Sequence, residues 1–402
     1  MRLLRLRLEN FRNYVRLDEP LPSGAVLLIG NNAQGKTNLL EAIYYFATLT
    51  SFRARSEREL LNFDALGHGY PVVGRLVAEF QREGERSPHQ MEVRLILDTN
   101  GDGERLRREA LVDGVRQKRL ADALGMFNAV LFLPDMLTVV TGAPEGRRRY
   151  LDMVLSQAEP NYAARLAEYR QVLAQRNALL KRLGEQGGDE SRLDFWDARV
   201  AQLGAALMVA RGKALDELSK RARRAHWALT REQENLHLRY RPAYSPGDGE
   251  ARLLNADEAR LVARLAPETL AAELHRALVR RRREEIARGV TTLGPHRDDF
   301  RFLEGQRDLG MYGSRGQVRT AMLALKMAEM AWLQERTGFR PVLLLDEILA
   351  ELDARRRDDL QAHLTQSEQV FLTTTDHALF RPTFLAHSQV WRLRDGVVFP
   401  ET

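Results

Sequence analysis

The sequence predicts an α/β fold carrying a mostly helical insertion, and three stretches predict it. Gly30-Asn31-Asn32-Ala33-Gln34-Gly35-Lys36-Thr37 matches G-x-x-x-x-G-K-[ST], between the apolar run Val26 to Ile29 and a helix-forming run from Asn38. Pro341 to Glu347 is a second apolar run, ending in the carboxylates Asp346 and Glu347. Between the two, leucines recur at heptad spacing in two segments.

Strand, glycine loop and helix are the context the first motif requires. Glycines let the backbone fold around phosphate with its N–H groups turned inward. The helix that starts at the loop adds its positive end. Lys36 supplies a point charge for β- and γ-phosphates, and the Thr37 hydroxyl can ligate Mg²⁺. A loop of this kind implies a bound nucleotide without saying what its energy drives.

At 402 residues the chain is long for one compact domain, so a main domain with an insertion or a second domain is expected. No apolar run approaches the ~18 residues a membrane span needs. Met1 to Arg7 alternates like a strand and lacks a signal peptide's apolar core. The absence of cysteine excludes disulfides and thiolate metal sites and fits the cytoplasm. A net charge of +6 favours an anionic partner, nucleic acid before a membrane surface.

Taken in order, Leu4 to Leu8 reads as a half-buried strand and Glu9 to Tyr14 as a turn. Val26 to Ile29 is the strand that enters the phosphate loop. Ser51 to Arg55 is a basic loop. Val72 to Phe80 and Met91 to Leu97 read as antiparallel strands around a charged turn at Gly84. Turn signals at Asn100 to Gly103 and Val112 to Val115 extend them into a meander over about residues 72–120. Ala129 to Leu133 is a buried strand, and Gly146 to Asp152 opens a helical region. Arg147, Arg148 and Arg149 there are either a solvated helix face or contacts to phosphate.

The first heptad segment carries Leu166, Tyr169, Leu173, Leu180 and Leu183; the second carries Leu193, Trp196, Val200, Leu203, Leu207 and Ala210. Gly184 to Asp189 separates them, so an antiparallel coiled-coil hairpin projecting as an arm is expected. Leu236 to Tyr240 reads as a strand, followed by a Pro- and Gly-rich loop from Pro242 to Glu250 within an unassigned insertion over 242–260. Pro267 opens a helix that Gly289 closes, and its end holds the basic run Arg280 to Arg283.

Gly294-Pro295-His296-Arg297-Asp298-Asp299 offers one histidine with adjacent carboxylates, a poor ligand set for a metal. Ser314-Arg315-Gly316-Gln317 precedes a strong helix pattern, where Ser314 can cap the helix and the backbone can grip phosphate. Asp346, at the C-terminal end of its strand, is placed to hold Mg²⁺. Glu347 is placed to orient or deprotonate attacking water. An acidic turn, Ala350 to Asp353, and a last apolar strand, Val370 to Thr373, complete the series.

That order of motifs is the order in ABC-type ATPases, where the Ser-Gly motif of one subunit closes over a γ-phosphate held by the other. One chain carries one phosphate loop and one Ser-x-Gly-Gln, so a working site implies a homodimer. The chain resembles the RecF family of bacterial recombinational-repair ATPases over nearly its whole length. The matching stretches are Glu9 to Tyr14, Gly30 to Asn38, Gly142-Ala143-Pro144 with Arg147 to Asp152, Gly294 to Asp299, Ser314 to Gln317 with Arg319, and Leu345 to Asp353.

The resemblance implies an ABC-type, SMC-like P-loop ATPase head with a short coiled-coil arm. It would comprise residues 1–145 and 289–402 as head and 146–288 as arm. It implies ATP and Mg²⁺ as cofactors and an ATP-dependent homodimer that binds double-stranded DNA and single-strand gap junctions. It implies work with RecO and RecR to load RecA in DNA repair, replication and the SOS response, and no membrane. Carried over by residue, Gly30, Asn31, Asn32, Ala33, Gln34, Gly35, Lys36, Thr37 and Asn38 hold the nucleotide, with Thr37 and Asp346 at Mg²⁺. Glu347 is the catalytic carboxylate. Ser314, with Gly316 and Gln317, meets the γ-phosphate in trans, and Asp353 lies on a dimer-facing turn. Arg12 touches base or phosphates. Glu347 stands where a second Asp is common in this family. His377 falls just past the usual switch position, leaving Thr375 or Asp376 for that role. The alternative reading is the head of another SMC- or ABC-type complex, a nuclease or a transporter motor.

Overall fold

Alternating runs and continuous apolar runs in this chain form different sheets. The structure is a computed structural model that describes residues 1–400 apart from 68, 101–102, 160, 232, 245–261 and 365–366. Its contacts divide the chain into two compact units, Met1–Met136 with Leu333–Thr402, and Leu137–Trp332. The segment 289–402, expected as one part of the head, is therefore shared between both units.

In the first unit, β1 (Arg2–Phe11), β2 (Tyr14–Pro20), β4 (Val72–Gln81), β5 (His89–Asn100), β6 (Gly103–Val112) and β7 (Val115–Arg116) make an antiparallel sheet. Its order among the described residues is β2-β1-β4-β5-β6-β7. The expected meander is present, and β1 with β2 extends it. The Glu9 to Tyr14 turn is shorter than expected: β1 runs to Phe11 and β2 begins at Tyr14, leaving Arg12, at φ +53°, and Asn13 to reverse the chain.

The second sheet of this unit joins β3 (Gly24–Ile29), β8 (Ala129–Phe132), β12 (Val342–Asp346), β13 (Gln369–Thr374), β14 (Ser388–Arg394) and β15 (Val397–Pro400). Its order is β15-β14-β3-β13-β12-β8, parallel except for the terminal hairpin. Strands β3, β8 and β12 are nearly continuous Val, Leu, Ile and Phe because both faces are covered. Helix α1 (Lys36–Thr48) is buried on nearly every side from Leu39 onward and packs on β8, β12 and β13 as well as on β4. One hydrophobic cluster runs from Leu3 and Phe80 through Tyr45 and Phe46 to Leu344 and Phe371.

The second unit is mostly helical: α2 (Leu137–Thr141), α3 (Pro144–Ala158), α4 (Tyr162–Gln186), α5 (Asp194–Leu229), α6 (Pro267–Arg288), α7 (Leu309–Tyr312) and α8 (Arg315–Thr337), whose last turn enters the first unit. β9 (Leu236–Arg241), β10 (Asp299–Glu304) and β11 (Arg307–Asp308) form a small antiparallel sheet in the order β11-β10-β9. Pro267 stands in the first turn of α6 and Gly289, at φ +64°, ends it as expected. The stretch 242–260 lies almost wholly outside the described residues.

The heptad helices α4 and α5 do run antiparallel, with Arg176 on Asp197 at 2.7 Å and Leu180 and Leu183 clustered with Leu193. They do not pack as a pair alone. Helix α6 packs along both, placing Glu285 2.7 Å from Arg176 and Arg282 2.6 Å from Asp197. Buried residues on α5 therefore form a wide face (Leu203, Gly204, Ala205, Leu207, Met208, Val209) rather than an a/d stripe, and Val172, not Leu173, is the buried residue of its turn on α4.

Candidate functional site

The parallel register gathers the site. β13 lies between β3 and β12, with Thr374 opposite Ile29 and Thr373 opposite Asp346. Three strand ends thus open on one crevice, and the glycine loop leaves β3 directly into α1. Leu393 of β14 explains Gly30: a Cβ there would meet its carbonyl oxygen at 2.5 Å. Lys36 is buried, and its Nζ donates to Gly30 O at 2.6 Å and Asn31 O at 3.2 Å, and lies 3.4 Å from Glu347. Asn31, Asn32 and Ala33 are exposed, so the loop's outer face is open to solvent.

Asp346 is the centre of a hydroxyl network. Thr37 Oγ1 donates to its two oxygens at 2.9 and 3.0 Å, and Thr373 Oγ1 donates at 2.7 Å. The Glu347 N–H in turn donates to Thr373 Oγ1 at 3.0 Å. Burial raises the Asp346 carboxyl above its usual range, and the neighbouring Glu347 charge adds to this, against the lowering effect of the hydroxyls and Arg53. Glu347 itself sits at φ +49°, a left-handed backbone that turns the chain out of the sheet. Lys36, Thr37, Asp346 and Glu347 are thus brought together as the sequence predicts.

The loop is braced by residues that sequence reading missed. Tyr14 donates its hydroxyl to Gly35 O at 3.0 Å, and Asn13 Nδ2 reaches Gln34 O at 3.3 Å while its Oδ1 accepts from Asn38 at 2.8 Å. On the other side Asp395 N donates to Gln34 Oε1 at 2.6 Å and Gly396 N to Gln34 O at 3.3 Å. Asn13 and Tyr14 lie within a matching stretch, so they could have been singled out. Asp395 and Gly396 carried only a turn signal.

Arg12, at the turn between β1 and β2, is held by a carboxylate and a backbone carbonyl. Its guanidinium forks onto the fully buried Glu41 at 2.8 and 2.9 Å and donates to Glu59 O at 2.8 Å. Ser51 also donates to Glu41. Asp353 accepts from Arg356 N at 2.9 Å and Arg356 Nη1 at 2.6 Å, closing the first turn of α9 (Ala354–Leu364). Those bonds hold its carboxyl below the usual range.

In the second unit Ser314 and Gln317 form a reciprocal cap on α8: Gln317 N donates to Ser314 Oγ at 3.2 Å and Ser314 N to Gln317 Oε1 at 3.0 Å. Gln317 Nε2 also donates to Glu304 at 3.0 Å. Ser314 and Arg315 are exposed, and Gly316 is partly so.

The Gly294 to Asp299 stretch is an internal hub. Asp298 accepts from Arg211 at 3.1 Å, from Ala243 N at 2.8 Å and from the Tyr240 hydroxyl. Both alternatives for Arg147 are replaced: it is buried, bonded to Asp299 at 2.6 and 3.1 Å and to Gly142 O at 2.6 Å. Arg148 donates to Asp298 O at 2.8 Å. In the second basic run, Arg282 is likewise taken up by Asp194 and Asp197. Among the described residues no helix is long and apolar enough to cross a membrane.

The comparisons agree with this architecture. The family model RecF/RecN/SMC N terminal domain matches residues 2–394. The DNA replication and repair protein RecF of Herpetosiphon aurantiacus is 38% identical over 409 residues, covering 100% of both chains. That of Chloroflexus aurantiacus is 40% identical over 402 residues, covering 98% of each. A solved structure of the recombination mediator protein RecF with ATP, from the RecFOR pathway, superposes with a TM-score of 0.83 at 29% identity, covering 100% of this chain and 97% of that one. An SMC head bound to part of ScpA shares the fold, with a TM-score of 0.52 at 14% identity over 100% of this chain and 97% of that one. Loop, carboxylate strand, hub motif and full-length similarity converge on one conclusion: the chain belongs to the RecF family.

Proposed function

We propose that this chain is an ATP-dependent, double-stranded DNA-binding protein that dimerises on ATP. We propose further that it acts in recombinational repair and replication with RecO and RecR, helping to load RecA at single-strand gaps. The observation that carries the nucleotide part is the meeting of Thr37 and Asp346 at 2.9 Å beside the phosphate loop. Relatives named for DNA replication and repair, and a solved relative named with ATP, support the rest.

In this reading the loop N–H groups and Lys36 hold the β- and γ-phosphates. Thr37 and Asp346, with Thr373 behind them, form an all-oxygen donor set that suits Mg²⁺. A magnesium ion held by Thr37 and Asp346 would supply charge neutralisation to the phosphates. Glu347 accepts a proton from the water whose oxygen attacks the γ-phosphorus, and ADP leaves. Ser314, Gly316 and Gln317 of a second copy close over the γ-phosphate, with Asp353 on the facing turn. Binding of ATP joins the copies on DNA, and slow hydrolysis resets them. The setting is the cytoplasm.

DNA affinity measured with ATP, with ADP and in Lys36→Ala tests the gating: ATP strengthens binding in the wild type alone, and equal affinity in all three rejects it. Sedimentation with ATP gives a dimer that Ser314→Arg abolishes. An ATP-independent monomer overturns that part.

A further inference from the structure

Glu347 aims its side chain from a strained backbone. Its φ of +49° lies in the left-handed region, which a residue with a Cβ enters at a cost. Such a conformation persists where its surroundings impose it, and it gathers at functional sites. Here both backbone polar groups of Glu347 are tied. Its carbonyl accepts from Ala350 N at 3.2 Å, which starts the short 3-10 turn Ile348–Glu351. Its N–H donates sideways to the hydroxyl of Thr373 at 3.0 Å. The side chain that this backbone aims is partly exposed, 3.4 Å from Lys36 Nζ.

Thr373 stands on the neighbouring strand, opposite Asp346 in the parallel register of β12 and β13. It is 3% exposed, so it acts through its neighbours rather than on a ligand. A hydroxyl has one hydrogen to give. The Glu347 N–H can only donate, so Thr373 Oγ1 accepts from it and gives its own hydrogen to Asp346 Oδ1 at 2.7 Å. One buried oxygen atom thus ties the direction of Glu347 to the carboxylate beside it. The β-branched side chain adds stiffness, because its χ1 has little freedom in a strand. Thr37 also bonds Asp346, at 2.9 and 3.0 Å, but from the phosphate loop. Thr37 therefore serves the phosphate side of Asp346, and Thr373 serves the Glu347 side.

We propose that Thr373 is the positioning residue for Glu347. Its hydroxyl holds the strained backbone that directs the Glu347 carboxylate at the attacking water, and it has no part in holding ATP. The assignment rests on the nucleotide reading above and deepens it. Removing the hydroxyl leaves Lys36, Thr37 and Asp346 in place, so binding survives. Glu347 loses the constraint on its backbone, and a misplacement of about 1 Å in a reacting group costs on the order of a hundredfold in rate.

The test uses the full chain with ATP and magnesium, in equilibrium binding and in single turnovers. Thr373→Val keeps the shape of the side chain without its hydroxyl. It should hold ATP affinity within about twofold and slow hydrolysis about ten- to a hundredfold. Thr373→Ser should restore most of the rate. In the nucleotide-free chain the Glu347 amide should exchange its hydrogen faster in Thr373→Val than in the wild type, and Thr373→Ser should slow it again. Added to Glu347→Gln, Thr373→Val should lower the rate no further, because the group it positions is already gone. A merely structural threonine would lower ATP affinity and melting temperature along with the rate, in both backgrounds, and that result overturns the proposal. An unchanged rate in Thr373→Val overturns it too, and leaves the nucleotide reading standing. A wild type that binds ATP without cleaving it removes the proposal and the hydrolytic part of that reading. A wild type that binds no ATP overturns both.

Discussion

Thr37 gives its hydroxyl hydrogen to both oxygens of Asp346, at 2.9 and 3.0 Å, across 309 positions of sequence. The carboxyl it meets is raised by burial, so an ionised Asp346 is costly until a cation arrives. Asp346→Asn keeps the shape and removes that cost. The variant is expected to melt at or above the wild-type temperature without nucleotide. It should lose the added stability that ATP with magnesium gives the wild type, about 2.7 kcal/mol at a hundredfold excess over Kd. Thermal melts with and without both ligands check this; an early-melting variant that still responds to ATP contradicts it.

Gly396 lies far from the motif in sequence but adjoins the loop. It has φ +75°, and a Cβ there would come within 2.4 Å of Asn13 O. Gly396→Ala should push apart the turns that brace Gln34 and weaken ATP binding severalfold. Gly84→Ala is the control, because Gly84 has φ +83° with nothing within 4 Å. Both carry a backbone cost of about 1–2 kcal/mol. Equal ATP affinity in the two variants, by titration, would argue against bracing.

Arg147→Ala strands a carboxylate. Removing one partner of a buried pair costs about 3–5 kcal/mol. Arg301, 2.9 Å from the same Asp299, should hold the loss near the lower end. Arg147→Met combined with Asp299→Leu should recover most of it, read as urea midpoints. A DNA-affinity loss in folded Arg147→Ala larger than its stability loss explains would restore a direct contact.

His296 predicts a pH dependence. Its Nε2 donates to Thr291 O at 3.1 Å and its Nδ1 accepts from the Tyr169 hydroxyl at 2.7 Å, an arrangement for the neutral ring. Burial pushes its pKa down to about 4, and Arg297, Arg148 and Arg211 act in the same direction. Below the ordinary value of 6.5 the unfolded chain takes up a proton that the native chain refuses. The contribution of this residue is whole above 6.5 and is lost as pH falls toward 4. The stability gap between wild type and His296→Gln should therefore narrow by on the order of 2 kcal/mol from pH 7 to 4. A constant gap in denaturant titrations at the two pH values counts against this.

The legible parts of the site are those whose signal is local. The loop, its flanking strand and helix, and the apolar strand ending in Asp346 and Glu347 each declare themselves within ten residues. Thr373, Asn13 and Asp395 do not, because their relation to the loop exists only once β13, β1 and β14 lie beside it. The heptads of α4 and α5 marked two antiparallel helices correctly. They could not show α6, whose packing widens the buried face of α5. Arg147 left solvent and phosphate open as alternatives because its actual partner stands 152 residues away. Strand β2 was missed because Tyr14–Pro20 is mostly polar, with only Tyr14 and Leu17 turned inward.

The first unit is assembled from two stretches with the whole second unit between them. Strand β3 takes both of its sheet neighbours, β13 and β14, from the later stretch. A nascent chain that has emerged only through residue 332 holds a finished second unit beside a loop strand with no hydrogen-bonded neighbour. Synthesis from the N-terminus therefore lets the interrupting piece mature first. The interrupted piece, made of contacts between remote segments, closes late and slowly. Competence to hold a triphosphate arrives only with that late closure.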